Sequence, residues 1–280
     1  MGQNHVRYIP LCPVDHEPIP PAVKDRMDQA FRIISMSQYG ERELKRVGLH
    51  STYIPHTVDC QLFKKLGEDK SVYKKMLGIP EDHFLFGMIA ANKDNPPRKG
   101  FQHAMDAFKV FHDKYPKSSM YFHTQPRQAG GFQIEEYAKV LGYGKDIFFP
   151  LPYNLLFKIQ PDDMVKIFNA FDCLLHPSTN EGFGICQIEA GACEVPVIAN
   201  DFTAMRDLVI NGETGYKVKV REKRFTLLGS YIGIPDVDDL TEKMLKIYED
   251  DRVTMGVNAR KFVLDNFDLP LVWNGAWKPF

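Results

Sequence analysis

From about residue 84 onward, short runs that are apolar on consecutive positions alternate with longer stretches in which apolar residues return every third or fourth place. The runs cover 84–90, 120–123, 147–149, 173–176 and 195–199. Consecutive rather than alternating apolarity fits strands covered on both faces of a parallel sheet. Between them, Phe101, Ala104, Met105, Phe108, Phe111 and Tyr115 share one helical stripe over residues 101–115, which Pro116 ends. The same spacing predicts helices at 161–171, 184–192, 203–210 and 238–249. Strand and helix in repeated succession predict an α/β domain built on a doubly wound, Rossmann-like parallel sheet.

The first 83 residues differ. They carry Pro10, Pro13, Pro18, Pro20 and Pro21, and read as a strand at 31–36, a helix at 38–47 and a short strand at 53–54 running into a turn from Pro55 to Asp59. The end of the chain, from Asp268, contains Pro270, Trp273, Trp277 and Pro279 and is expected to wrap over another part of the molecule.

Composition narrows function by exclusion. At about 150 residues per domain, 280 residues fit one large domain or two small ones. A hydrophobic content of 44% supports a sizeable core, so disorder as the dominant state is excluded. Lysine and arginine total 35 against 36 acidic residues, a net charge of −1. No bulk field therefore recruits nucleic acid or an anionic membrane, although a local anion site stays open. Five cysteines without ribbon or scaffold spacing read as reduced core residues. The first residues have neither a basic nor an apolar signal region, and no run nears the ~18 apolar residues of a membrane span. A cytoplasmic protein with no transmembrane segment is expected.

In a doubly wound sheet, ligands bind outside the carboxyl ends of the strands. Lys93 and a turn from Asn95 through Lys99 to Gly100 follow the first run, and His123 ends the second. Pro150 to Tyr153 follow the third, and Pro177 to Gly184 the fourth. Polar and basic residues thus gather at one rim. In the stretch from Glu181 to Glu189, Gly182 and Gly184 flank Phe183 and allow close backbone approach to a ligand. Amides opening the next helix add donors and a positive dipole end, which suits a phosphate or a polar sugar. A tight turn into a helix needs the same residues.

Glu181 and Glu189 are eight positions apart, ~12 Å along a helix, whereas hydrolase carboxylates stand roughly 5–9.5 Å apart. Separate roles along an extended ligand are favoured. Lys93 and Lys99 flank a rigid, proline-containing turn and can converge on one anion such as a departing diphosphate; lysines in turns are otherwise simply solvated. His123 reads equally as a ligand contact or as a structural histidine. Asp236 and Asp238, like Asp162 and Asp163, spell metal-type pairs but stand at the starts of predicted helices, where capping explains them.

Three stretches together carry a resemblance: Ile54-Pro55-His56-Thr57-Val58-Asp59, Lys93 to Gly100, and Pro177-Ser178 through Glu181 and Glu189 to Pro196-Val197-Ile198. Over about residues 31–265 the chain resembles the carboxyl-terminal, nucleotide-sugar-binding half of retaining GT-B glycosyltransferases of family four. The resemblance implies Glu181 beside the donor sugar, the amides of Gly182, Phe183 and Gly184 on sugar and phosphate, and Glu189 on the ribose hydroxyls. It also implies Lys93 and Lys99 on the diphosphate and backbone near Leu151 and Tyr153 on the base. The implied activity is retaining, hexosyltransferase-type transfer from a nucleoside diphosphate sugar to an acceptor the sequence does not specify, with no cofactor and no protein-bound metal.

On this resemblance, residues 1–30 correspond to a remnant of, or linker from, an amino-terminal GT-B domain, 31–265 to the donor domain and 266–280 to a tail. Lys93 stands where the family commonly has arginine, Cys186 where proline is frequent and Glu194 where glycine is frequent. The family's amino-terminal Gly-rich loop and histidine have no counterpart in the sequence. The alternative is therefore a nucleotide-sugar-binding module that needs a partner chain for the missing domain. A GT-B-like sugar-nucleotide epimerase is a third reading, which the glutamate pair fits less well.

Overall fold

A computed structural model describes residues 6–94, 96–157 and 159–280 of the chain. The amino-terminal part forms a three-stranded parallel sheet of β1 (Leu11–Cys12), β2 (Ile34–Ser35) and β3 (Thr52–Tyr53), in that order, with helices α1 (Pro21–Met27) and α2 (Gln38–Arg46). Cys12, Val14, Ile19, Tyr39 and Leu44 pack beneath it. The strand expected at 31–36 is only two residues long. Its partner β1 lies between Pro10 and Pro13, neither of which has an N–H to extend the ladder. Exposed Phe31 instead faces the guanidinium of Arg7.

After α3 (Lys70–Met76), the predicted alternation appears as β4 (Phe84–Ile89), α4 (Phe101–Lys114), β5 (Ser118–His123), α5 (Ile134–Leu141) and β6 (Ile147–Phe148). It continues through α6 (Pro152–Phe157), α7 (Pro161–Ala170), β7 (Cys173–His176), α8 (Ile185–Ala192), β8 (Val197–Asn200) and β9 (Gly215–Val218). The sheet runs β6-β5-β4-β7-β8-β9 with every neighbour parallel. In order of appearance this is 3-2-1-4-5-6, and the direction of winding reverses between β4 and β7. Phe101, Ala104, Met105, Phe108 and Phe111 of α4 are buried against one face; α7 and α8 cover the other with Val165, Phe168, Ile188 and Ala192.

An antiparallel hairpin of β10 (Val220–Phe225) and β11 (Tyr231–Pro235) leads into α9 (Val237–Glu249), α10 (Arg252–Phe267) and α11 (Leu269–Val272). Asp236 caps α9, accepting from the amides of Asp238 at 2.9 Å and Asp239 at 3.0 Å, and Asp163 accepts from the Gln160 amide at the start of α7. The tail does wrap: Val272, Ala276, Trp277 and Phe280 pack on Ile34 and Ile54 of the amino-terminal sheet.

The helix expected at 203–210 is replaced by a 3₁₀ turn, Thr203–Asp207. Thr203 has φ +46°, a left-handed conformation that cannot begin an α-helix, and its Oγ1 accepts from the Glu181 amide at 3.2 Å. Glu194 also has positive φ (+59°) at the end of α8, which accounts physically for glycine at that position in the resembled family. No helix among the described residues is long and apolar enough to cross a membrane.

Candidate active site

The rim at the carboxyl ends of β4, β5 and β7 collects Lys93, Lys99, His123, Glu181 and Gly182–Gly184, at the crevice where the strand order reverses. Gly100 (φ +74°) turns the chain from the basic loop into α4, and a Cβ there would lie 2.1 Å from the Pro177 carbonyl oxygen. Only glycine lets this loop lie against the one that follows β7. Gly184 (φ +108°) starts α8 in the same way, with a would-be Cβ 2.4 Å from Gln187 Nε2. Asn95 lies outside the described residues.

Glu181 is the centre of a buried charge cluster. Lys99 Nζ donates to its Oε1, Arg98 Nη1 stands 3.4 Å away and His176 Nε2 3.6 Å away. Burial alone would raise the Glu181 carboxyl. The His176 ring close by, with the charges of Lys99 and Arg98, outweighs it and holds the group well below the usual carboxylate range. For His176, burial acts to lower the ring, but Cys186 Sγ at 3.2 Å and the Glu181 carboxylate raise it to about 9. Cys186 thus sits half-buried at the site, unlike buried Cys193 seven positions on.

Glu189, one turn into α8, is half-buried, and burial raises its carboxyl to about 7; that carboxyl has no hydrogen bond or ion pair among the described residues. Lys93 is exposed. His123 accepts or donates to Tyr121 Oη at 3.3 Å, and burial lowers it to about 4, so the ring is neutral near pH 7.

Two cavities of about 340 and 560 Å³ adjoin here, sharing Ile89, Arg98 and Lys99. The smaller brings together Asp15, His56, Lys99, His176, Glu181 and Gly182–Gly184; the larger is walled by Lys93, Lys99, His123, Thr124, Leu155 and Leu156. Leu151 and Tyr153 stand exposed at the start of α6, while Leu155 and Leu156 of that helix form its cavity wall. Glu189 lies one turn of α8 beyond Ile185 and Cys186, which edge the smaller cavity. A further cavity of about 420 Å³, between the hairpin and α4, touches the site only through Arg98 and holds none of the predicted residues.

Sequence reasoning missed Arg98, His176, His56 and Asp15 as site residues. The rule that selected His123, the last residue of a central strand, also selects His176. His56, whose ring packs edge-on against Phe183 at 5.2 Å, lies in the Ile54–Asp59 stretch of the resemblance, which assigned it no role.

The family model for glycosyl transferases group 1 matches residues 69–225. The capsular polysaccharide biosynthesis glycosyltransferase CapM of Staphylococcus aureus is 27% identical over 244 residues, 86% of this chain and 56% of that protein. The chain thus spans just over half of this relative. Among solved structures, the HepE protein of Anabaena in complex with UDP and glucose superposes with TM-score 0.76 at 19% identity, covering 97% of this chain and 70% of that one. The carboxyl-terminal domain of the group 1 family protein LpcC from Francisella tularensis gives TM-score 0.60 at 22% identity, covering 76% of this chain and 99% of that one. These structural likenesses establish a shared GT-B-type fold.

Proposed function

The chain belongs to the group 1 glycosyl transferases, and from that premise we propose that it binds a nucleoside diphosphate sugar and moves its hexose to an acceptor with retention of configuration. The observation that carries this reading is the pair of adjoining cavities meeting at Lys99 and Arg98, at the reversal point of the sheet. A diphosphate placed at that junction meets Lys93, Lys99, Arg98 and the amides that open α8. Neutralising it there makes it a better leaving group. The sugar then lies in the smaller cavity beside Glu181 and the amides of Gly182, Phe183 and Gly184. The base extends into the larger cavity along α6, and the ribose reaches Glu189. HepE, solved with UDP and glucose, supports a uridine nucleotide as the first donor to try.

Glu181 is ionised and already paired with Lys99. Its role in this reading is to hold Lys99, Arg98 and the sugar in register. That the chain covers 56% of the CapM relative favours a second reading, in which donor binding resides here and transfer needs a further domain or partner chain. Incubation with radiolabelled UDP- and GDP-hexoses tests both. Transfer or donor hydrolysis supports autonomous catalysis, binding with neither supports the module, and epimerised nucleotide sugar without acceptor overturns both.

A further inference from the structure

The smaller cavity holds a second carboxylate that neither the family motif nor the basic loop accounts for. Asp15 reaches it from the amino-terminal segment. That segment is fixed on both sides. Cys12 and Val14 are buried in the amino-terminal core, the Glu17 amide donates to the Tyr231 carbonyl at 3.1 Å, and a Cβ on Gly182 would meet Pro13 Cβ at 2.9 Å. The carboxylate is also oriented. Asn180 Nδ2 lies 3.1 Å from Oδ2, and His16 Nδ1 lies 2.6 Å from Oδ1. Asn180 is itself buried and held by Thr179 Oγ1 at 2.9 Å.

Glu181, the other carboxylate in this cavity, is committed to Lys99, Arg98 and His176. Asp15, which lines the cavity, has no lysine or arginine partner among the described residues, its side chain keeps 37% of its surface accessible, and two anchoring contacts leave other lone pairs of its oxygens free to accept. An immobilised acceptor group beside a sugar-sized space recognises hydroxyls, and charge-assisted bonds of this kind discriminate strongly between stereoisomers.

We propose that Asp15 is a specificity-determining residue whose carboxylate accepts hydrogen bonds from hydroxyls of the donor sugar. The proposal rests on the nucleoside diphosphate sugar reading above and goes beyond it by assigning sugar selection to the segment that precedes the donor sheet.

Calorimetric titration of the whole chain with UDP, UDP-glucose and UDP-galactose, and with GDP and GDP-mannose, tests it in the wild type and in Asp15→Asn and Asp15→Ala. Melting temperatures confirm that each variant folds. The expected result is nucleoside diphosphate affinity within twofold of wild type, a roughly tenfold or greater loss for the preferred nucleotide sugar, and collapse of the preference between epimers. Equal losses for diphosphate and nucleotide sugar would show that Asp15 only supports the loop, and unchanged epimer preference would show that other groups read the sugar; either overturns the proposal. A wild-type chain that binds neither diphosphate contradicts the donor reading itself, and does so before any substitution is made.

Discussion

Replacing Glu181 by glutamine removes one negative charge from beneath three cationic groups while keeping the side-chain shape. Lys99 has 15% of its side chain exposed and His176 4%, so neither regains full hydration when its partner is lost. Breaking a buried ion pair from one side costs about 3–5 kcal/mol. At about 2–4 °C per kcal/mol for a chain of this size class, the melting temperature should fall by roughly 6–20 °C. The loss must also depend on pH. The folded-state value of His176 is raised to about 9, so its stabilising contribution is complete below its unfolded value near 6.5 and disappears as pH rises through about 9. Wild type and Glu181→Gln should therefore differ most below pH 6.5, and the difference should narrow above pH 9 to the part owed to Lys99 and Arg98. Because Lys99 and Arg98 are released, the variant should bind free nucleoside diphosphate at least as well as wild type, while the added affinity from the sugar is lost. Thermal melts from pH 6 to pH 10, with calorimetric titration of nucleoside diphosphate and nucleotide sugar, measure all three. A melting temperature within 2 °C of wild type at pH 6.5, or weaker diphosphate binding, would refute the charge-cluster account.

Glu189 gives a prediction of opposite sign. Its folded-state value is raised to about 7, so folding costs free energy as pH rises from its unfolded value of about 4.5 to 7, and stability falls over that window. Glu189→Gln should melt higher than wild type at pH 8, by about 1–2 kcal/mol once the partial exposure of the group is allowed for. It should also bind nucleotide sugar more weakly, and the wild-type gain of up to about tenfold in affinity between pH 6 and 8, as the ribose-binding carboxylate ionises, should vanish. A nucleotide sugar suits this titration because its diphosphate does not itself titrate near neutrality. Gly87 lies within β4, between β5 and β7, where a Cβ would stand 2.2 Å from the buried Phe171 ring. Gly87→Ala should cost about 1–3 kcal/mol in denaturant unfolding without changing relative affinities for different nucleotides.

The central sheet was legible because β4, β5, β7 and β8 are buried on both faces and so appear as consecutive apolar runs. The hairpin was not. Val220-Arg221-Glu222-Lys223-Arg224-Phe225 is half-buried at Val220 and exposed thereafter, so no burial pattern marks it as a strand. Likewise β9 hides Lys217 between buried neighbours, and β1 is two residues long, too short for any periodicity, whereas β2 and β3 overlap the strands expected at 31–36 and 53–54. The 203–210 stretch misled because its apolar spacing reflects packing of a 3₁₀ turn whose first residue, Thr203, serves the Glu181 amide.

In the site, the segment after β7 was readable from glycine spacing and the carboxylate pair, and Lys93 and Lys99 from their place beside the switch point. Arg98 escaped notice because it sits between two lysine candidates, and Asp15 because its partner Asn180 lies 165 positions away. Such pairing is a property of the folded chain and leaves no local signature.

The most direct test is calorimetric titration of the intact chain with a nucleoside diphosphate and with the corresponding nucleoside, in wild type and Lys99→Ala. If the cavities at the β4/β7 reversal hold a nucleoside diphosphate sugar, wild type binds the diphosphate saturably, and the substitution weakens diphosphate binding tenfold or more while nucleoside binding changes little. Equal losses for both, or a wild type that binds neither uridine nor guanosine diphosphate, would contradict the assignment.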